Sequence, residues 1–171
     1  MDILRAAWRM EYIDSSNKVE KMNDENTGCI FCDYAKNDKD EENLVVSRNE
    51  LSYVLMNRYP YSVGHLLIAP YRHTADIVSL SDGEKLEIFT SCQKSVSIIK
   101  KIMKTDGFNI GINLGRAGGA GIDTHLHFHV VPRWNGDINF MSVTAETKVL
   151  PEALSETRKK ILEEWIKWSD L

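Results

Sequence analysis

The sequence is short of several features that would mark a specialised class of protein. It has three cysteines in 171 residues, too few for a framework of disulfide bonds in a chain of this length. It has no run of about 18 apolar residues, so a membrane span is not expected. Neither sign of charge dominates, and the formal net charge of −4 argues against nucleic acid as a partner. The first residues also lack the charged-then-apolar order of a secretory signal, and we expect a cytoplasmic protein.

The remaining composition is that of a soluble globular domain. Hydrophobic residues make up 43% of the chain and charged residues 27%, which is ordinary for such domains, and the length suffices to bury a core. We predict an N-terminal arm over residues 1–28, with a short helix at Ile3–Met10, followed by a single domain over residues 29–171. Because the overall charge is weakly negative, an anionic substrate would have to be attracted by a local group of hydrogen-bond donors.

Hydrophobic periodicity predicts short strands around one long helix. Five stretches have the apolar or alternating character of strands: Leu44–Ser47, Leu51–Asn57, His65–Pro70, Phe108–Leu114 and His125–Val131. Pro132 is expected to stop the last strand, because proline cannot donate to a sheet.

The long helix is predicted to begin at Ser81–Glu84, which offers a capping residue and an acidic first turn, and to end at Gly107. Its apolar side chains hold helical spacing on one face: Leu86, Phe89, Val96, Ile99 and Met103. A last helix is predicted over Glu152–Trp168, with these side chains facing inward: Leu154, Ile161, Leu162 and Trp165. Together the elements predict an α+β domain in which one long helix and a C-terminal helix pack on an antiparallel sheet.

Three of the five histidines fall within five residues, at His125, His127 and His129. On a strand they would project from one face, roughly 6.5 Å apart in succession, while the apolar residues between them enter the core. A lone histidine is usually structural, but three on one face indicate chemistry. They would either bind a zinc or copper ion or supply a nucleophilic imidazole, if its other nitrogen is held by a hydrogen bond.

The glycine-rich segment Gly115–Gly121 precedes the histidines. Glycines let backbone N–H groups approach a ligand closely and form a cradle for an anion. Asn113 ahead of this loop and Arg133 behind the histidines add further donors. This combination favours a phosphate site and is more than a metal site would need.

Cys29 and Cys32 form a C-x-x-C pair. Such a pair commonly supplies half of a tetrahedral zinc site, but it also fits a redox motif or two buried thiols. The flanking sequence does not suggest the strand and helix of a thioredoxin-like unit. Cys92, inside the long helix, is expected to be a core residue.

These motifs resemble the histidine triad (HIT) family. His125–Val131, with the sequence HLHFHVV, matches the family's signature of histidines alternating with apolar residues. Ser52–His65 is similar to the family's nucleoside-binding stretch, most closely in the fragile-histidine-triad and diadenosine-polyphosphate branches. The resemblance runs from about Cys29 to Trp134. It implies a HIT-like α+β fold and a homodimer in which the sheets of two protomers join.

The resemblance also implies roles for individual residues. The catalytic group would be the triad, in which His127 attacks the α-phosphorus to form a nucleotidyl-histidine and His129 holds a phosphate oxygen beside His125. The substrate-binding residues would be Asn57 at the ribose, His65 in the nucleotide pocket, Asn113 at the phosphate, Gly119 and Gly121 in the loop, Thr124 and Trp134. Thr124 stands near the place where relatives often carry a glutamine or serine for the leaving group. Trp134 would either stack on a base or pack structurally.

In zinc-containing members of the family, and in the related galactose-1-phosphate uridylyltransferases, two histidines complete the C-x-x-C site. One lies in a Pro-x-x-His segment, which Pro70–His73 resembles. The other is the first histidine of the triad. The resemblance therefore implies a structural zinc ion bound by Cys29, Cys32, His73 and His125.

The expected reaction is cleavage of a dinucleoside polyphosphate such as diadenosine tetraphosphate through a nucleotidyl-histidine, with water or phosphate as the second acceptor and with or without a divalent cation on the substrate. One alternative is a purine nucleoside phosphoramidate hydrolase with the same nucleophile. Two others are a regulatory module that binds AMP with little turnover and a metalloenzyme whose catalytic ion is held by the triad itself.

Overall fold

All five strands in the described part of the chain, residues 28–137 and 152–169, form one antiparallel sheet in the computed structural model. The strands are β1 (Val45–Arg48), β2 (Ser52–Met56), β3 (Leu66–Pro70), β4 (Gly107–Ile112) and β5 (Phe128–Arg133). The helices in this part are α1 (Ile30–Lys36), α2 (Asp82–Met103) and α3 (Leu154–Ser169). The predicted helix at Ile3–Met10 lies outside the described residues, and the division of the chain at residue 28 stays a prediction.

The strand order β1-β2-β3-β5-β4 places β5, which carries the last triad histidine, between β3 and β4. Helix α2 crosses one face of the sheet over β2, β3 and β5, and α3 packs beside it against β1. The main core fills the space between these helices and the sheet. The predicted α+β architecture, with a long helix across an antiparallel sheet and a C-terminal helix, is confirmed.

A second, smaller core lies on the opposite face of the sheet, under α1. Strands β2 and β3 are buried on both faces, because α2 covers one face and α1 with its flanking segments contributes to the other. His129 lies opposite Leu67 in the register of β3 and β5, and paired residues share a face. The triad therefore belongs to the α1 face, away from the long helix.

The predicted start of α2 is confirmed by a capping box. Ser81 Oγ accepts a hydrogen bond from the Glu84 N–H at 3.2 Å, and Ser81 N–H donates to the Glu84 carboxylate at 2.8 Å. The predicted end was wrong. Lys104 takes a left-handed conformation with φ 50° and ends the helix, while Gly107 already begins β4.

The predicted apolar face of α2 was also wrong in its first half. Leu86 and Phe89 are 70% and 63% exposed, and the helix instead turns a stripe of smaller or β-branched side chains toward the sheet: Ile88, Ser91, Cys92, Ser95, Ile98 and Ile99. The Ser95 hydroxyl keeps a hydrogen-bond partner although it is buried, because it donates to the carbonyl of Ser91 at 2.7 Å. Small side chains in the stripe let the helix backbone lie close to the sheet, a preference that hydrophobicity alone does not reveal.

Strand β5 begins at Phe128, so His125 and His127 precede the strand instead of lying within it, and it continues through Pro132 to Arg133. The expectation that Pro132 stops the strand was wrong for a topological reason. Pairing with β3 reaches only to Val130, and the Pro132 carbonyl on that side accepts a hydrogen bond from Ser62 Oγ at 2.7 Å. A proline is tolerated there because no N–H is needed for a neighbouring strand.

Candidate active site and metal centre

The histidines of the site form a buried row on the α1 face. The imidazole centroids of His127 and His129 are 5.0 Å apart, and those of His129 and His65 are 5.2 Å apart. His125 continues the row on the other side of His127, and all four side chains are buried. The structure thus brings together four of the residues that the sequence predicted to act on substrate.

The hydrogen bonding of His127 fits a nucleophile. Its Nδ1 lies 2.9 Å from the carbonyl oxygen of His125, which can only accept, so Nδ1 carries the proton and the lone pair is on Nε2. Burial lowers the pKa of His127 from its ordinary value, although the bond to the His125 carbonyl opposes this effect. The ring is therefore kept neutral at pH 7, the form in which Nε2 can attack phosphorus.

The tautomer of His129 is determined by a chain of hydrogen bonds that starts in the backbone. The Tyr61 N–H donates to His65 Nδ1 at 3.0 Å, which leaves the proton of a neutral His65 on Nε2. That nitrogen donates to His129 Nδ1 at 3.0 Å. The proton of a neutral His129 consequently sits on Nε2, where it suits a phosphate oxygen.

Asn57 contributes to the same chain of hydrogen bonds. Its Oδ1 accepts from the Tyr59 N–H at 2.9 Å, so its amide nitrogen is the atom that faces His65 Nδ1 at 3.3 Å. The ribose contact predicted for Asn57 stays a prediction, whereas its bracing of His65 is a contact that the sequence did not reveal.

The glycine loop folds back on the end of β4. Asn113 donates through its amide to the Gly119 carbonyl at 3.4 Å, and Arg116 pairs with Asp123 at 3.0 Å. Gly115 and Gly119 have φ of 66° and 87°, in a region that favours glycine. Asn113 and His129 line one open cavity of about 250 Å³, as expected if both contact the same phosphate group.

The other predicted substrate contacts are exposed or lie far from His129 along the strand. Gly121 ends the glycine loop and Thr124 follows it, and both are exposed. Trp134 follows β5, five residues beyond His129 and on the order of 16 Å from it along the strand. Stacking of Trp134 on a base has no support from this placement within one protomer and stays a prediction.

Two aromatic contacts were missed by the sequence analysis. The Phe31 ring stacks on the His127 imidazole, with centroids 4.8 Å apart and an interplanar angle of 30°. Tyr61 stacks similarly on His129, at 5.9 Å and 10°. Both aromatics lie in segments already recognised as motifs, Phe31 between the cysteines and Tyr61 between Asn57 and His65, but no spacing rule pairs them with the triad.

Four side chains meet at the end of this row to form a candidate metal centre. The ligand atoms of Cys29, Cys32, His73 and His125 all lie within 4.8 Å of one another. Three sulfur–nitrogen distances are 3.2, 3.2 and 3.6 Å, close to the roughly 3.5 Å edge of a tetrahedral zinc site with two sulfur and two nitrogen ligands. The donor set and spacing fit zinc.

The surroundings of the cluster favour a metal over a redox role. His125 Nε2 lies 2.9 Å from the Pro70 carbonyl and donates to it, which leaves Nδ1 as the nitrogen that faces the sulfurs. Burial, reinforced by the neighbouring Cys29, raises the pKa of the Cys32 thiol to about 11. A reactive redox cysteine needs the opposite shift, whereas a bound cation stabilises the thiolate directly, so a raised thiol pKa is compatible with a metal site.

The same geometry bears on the alternative of a catalytic ion inside the triad. Within residues 28–137 and 152–169, the Cys/His cluster is the only group of three or more cysteine, histidine or carboxylate side chains whose ligand atoms converge. His127 and His129 instead direct one ring nitrogen each to the His125 carbonyl and to His65. Of the three triad histidines, only His125 belongs to this converging group.

An α+β domain whose antiparallel sheet carries alternating, buried histidines on one face defines a histidine triad protein. The HIT domain family matches residues 38–136 of the chain, and the chain belongs to this family. It is 44% identical over 126 residues to an AP-4-A phosphorylase of Mycobacterium tuberculosis, an alignment that covers 74% of this chain. The chain spans 65% of that relative's own length.

Solved structures agree with the fold. A Zn-bound histidine triad family protein from Mycobacterium smegmatis superposes with a TM-score of 0.67 at 22% identity, covering 83% of this chain and 96% of its own. A hypothetical histidine triad nucleotide-binding protein from Sulfolobus tokodaii gives 0.63 at 29% identity, covering 81% and 92%. The predicted HIT-like fold is confirmed.

Proposed function

We propose that this protein cleaves a dinucleoside polyphosphate, such as diadenosine tetraphosphate, through an adenylyl group carried on His127. The observation that carries the proposal is the pairing of His127 Nδ1 with the His125 carbonyl at 2.9 Å, because it leaves Nε2 as a buried, neutral nucleophile. The substrate class is supported by the 44% identical relative named AP-4-A phosphorylase.

In the first step, His127 Nε2 forms a bond to the α-phosphorus and the bond from that phosphorus to the bridging oxygen breaks. With diadenosine tetraphosphate as substrate, the adenylyl group stays on Nε2 and ATP is the leaving group, while the imidazole becomes a cation whose Nδ1 proton still points at the His125 carbonyl. His129 donates from Nε2 to a phosphate oxygen and stabilises the charge that develops there. Asn113 supplies a second donor from the rim of the same cavity.

In the second step, an acceptor attacks the adenylyl phosphorus and restores neutral His127. Inorganic phosphate gives ADP, whereas water gives AMP and releases a proton. The name of the relative favours phosphate. Chromatography of the products with and without added phosphate separates the two, and repeating it with and without magnesium shows whether a divalent cation accompanies the substrate.

The experiment that tests the proposal is intact-protein mass spectrometry after brief mixing with diadenosine tetraphosphate, without acid in the quench. The wild type should gain the mass of an adenylyl group, and His127→Ala should not. If the wild type gains no adduct and consumes no substrate over hours, the proposal is wrong. Turnover of adenosine phosphoramidate alone would then favour the phosphoramidate branch, and tight AMP binding without turnover would favour the regulatory module.

We further propose that the Cys29, Cys32, His73 and His125 cluster holds a structural zinc ion, given the sulfur–nitrogen distances of 3.2–3.6 Å. Elemental analysis should find one zinc per chain, retained in His127→Ala and lost in Cys29→Ser. Loss of the metal from His127→Ala would instead favour the catalytic-ion alternative. Reduced cysteines in such a site fit the cytoplasm, and no described helix has the length and apolarity to span a membrane.

Finally, we propose a homodimer joined through β4. Among the described strands, β4 pairs only with β5, and Ile110 in β4 is 50% exposed. A second copy pairing along the other edge would join the two sheets and cover this side chain. Light scattering after gel filtration should give the mass of a dimer for the wild type and of a monomer for Ile110→Lys.

A further inference from the structure

The Phe31 side chain connects the cysteine cluster to the nucleophile. It lies between Cys29 and Cys32 in the sequence and is only 1% exposed. Its ring stacks on His127 at 4.8 Å and 30°, and it also contacts the His125 imidazole, at 5.3 Å and 47°. One aromatic side chain thus touches both the nucleophile and a residue of the candidate metal centre.

The backbone of Phe31 is held from two directions. It directly precedes Cys32 and lies two residues after Cys29, and both cysteines belong to the four-residue cluster. Its carbonyl accepts a hydrogen bond from the Tyr53 hydroxyl at 2.7 Å, and Tyr53 is itself fully buried in β2. The ring therefore has little freedom to move away from His127.

A single hydrogen bond does not fix the orientation of an imidazole. The bond from His127 Nδ1 to the His125 carbonyl fixes one point of the ring but allows the plane to tilt about that contact. A flat aromatic surface packed against one face removes this tilt and excludes water from that side. The direction of the Nε2 lone pair then depends on both contacts, and attack on phosphorus requires that direction to be correct.

We propose that Phe31 is a positioning residue for the nucleophile and that the Cys29/Cys32/His73/His125 cluster orients His127 by holding both of its supports. One support is the Phe31 ring, carried between the two cysteines. The other is the backbone carbonyl of His125, a residue whose side chain belongs to the cluster. This inference rests on the proposed function, since it takes His127 to be the nucleophile. The metal site then has a role in catalysis without contacting substrate.

The test compares Phe31→Leu, which keeps an apolar side chain but loses the flat face, with Val45→Ala, which reduces a buried side chain of the same small core on edge strand β1. Both are studied as metal-loaded protein. The rate constant of adenylyl transfer is measured in a single turnover, and the affinity for AMP is measured separately. We expect Phe31→Leu to slow the transfer on the order of 10- to 100-fold while AMP affinity changes by no more than about twofold. Val45→Ala should leave the rate within about twofold of wild type.

A spectroscopic readout keeps the test independent of turnover. In ¹⁵N spectra of the histidine rings, wild-type His127 should show one tautomer, with the proton on Nδ1. Phe31→Leu, and wild-type protein stripped of metal, should both show averaging between tautomers or orientations. If no adenylyl adduct forms on the wild type, the proposed function fails, but these spectra still decide whether Phe31 orients His127.

Three results would overturn the inference. An unchanged transfer rate and an unchanged His127 spectrum in Phe31→Leu would show that the stack is passive. A weaker AMP affinity with an unchanged rate would make Phe31 a contact for the nucleotide. An equal loss of rate in Val45→Ala would attribute the effect to the stability of the small core.

Discussion

The carbonyl oxygen of His125 lies 2.9 Å from Nδ1 of His127, while the imidazole of His125 lies 3.2 Å from Cys29 Sγ. The first triad histidine therefore serves two sites with different atoms, the backbone toward the nucleophile and the side chain toward the cysteines. This explains why its ring belongs to the candidate metal centre although its neighbours in the motif contact substrate in the proposed reaction.

Removal of the proposed zinc ion should lower the thermal stability of the wild type. Without a cation, four polar ligand atoms face one another across a partly buried site, and the segments that carry them lose their cross-link. Differential scanning calorimetry after prolonged treatment with a strong chelator should show a lower Tm, restored by added zinc. His73→Ala should start from the lower Tm and respond to neither treatment. An identical Tm for chelated and untreated wild type, with the zinc gone, would contradict the prediction.

His65→Ala should slow adenylyl transfer on the order of 10- to 100-fold, the cost of losing an oriented donor in the transition state. Without His65 Nε2 on its Nδ1, His129 is free to adopt the tautomer that cannot donate to phosphate. The matched control is Ser62→Ala, which removes a hydrogen bond to Pro132 from the same loop but keeps the backbone carbonyl that accepts from the His65 N–H. Single-turnover rates for the two variants should differ clearly, and equal rates would argue against the chain of hydrogen bonds.

The contribution of Glu84 to the stability of the fold should depend on pH. The Arg72 guanidinium, followed by the Ser81 cap, lowers the pKa of this carboxyl from 4.5 to about 2. A carboxyl with a lowered folded-state pKa stabilises the protein fully above its unfolded value, and that stabilisation disappears as the pH falls toward 2. Urea unfolding at pH 6, 4 and 3 should therefore show Glu84→Gln less stable than wild type, by a margin that shrinks with acid. Asp82→Asn, an exposed acid in the same turn, should show little difference at any of these pH values.

Gly115→Ala should destabilise the protein on the order of 1–3 kcal/mol, the usual cost of a non-glycine residue in this region of backbone space. A Cβ at Gly115 has open space around it, so the cost arises from its φ of 66° and not from a clash. Gly118 offers the matched control, because its nearest neighbour to a new Cβ is 3.9 Å away and its φ is not positive. Chemical denaturation should place Gly118→Ala within about 0.5 kcal/mol of wild type.

The sequence was sufficient for the features that depend on local chemistry. The alternation of histidine with apolar residues correctly placed Leu126 in the main core and Phe128 against it, although β5 itself begins only at Phe128. Likewise, the Ser81 and Glu84 pair correctly predicted the start of α2. The C-x-x-C pair identified two cysteines of the cluster, and the family resemblance added the two histidines that the structure brings to them.

The features that were missed depend on contacts between distant segments. The exposure of Phe89 is decided by how closely α2 approaches the sheet, because the helix carries apolar residues on both sides, whereas the predicted burial of Cys92 is confirmed. The stacking of Phe31 on His127 joins segments about a hundred residues apart in the chain. Pro132 stays in its strand only because β3 has already ended beside it. The periodicity of a single segment cannot predict such contacts.

Burial of β2 and β3 on both faces also determines how the site fluctuates. Each of these strands is hydrogen-bonded to a neighbour along both edges, so we expect their amides to exchange with solvent only when the whole domain unfolds. His65 precedes β3 directly, and His129 pairs opposite Leu67, the second residue of that strand. Local breathing of the loops should therefore leave this histidine pair aligned, and substrate would meet a site that remains assembled between turnovers.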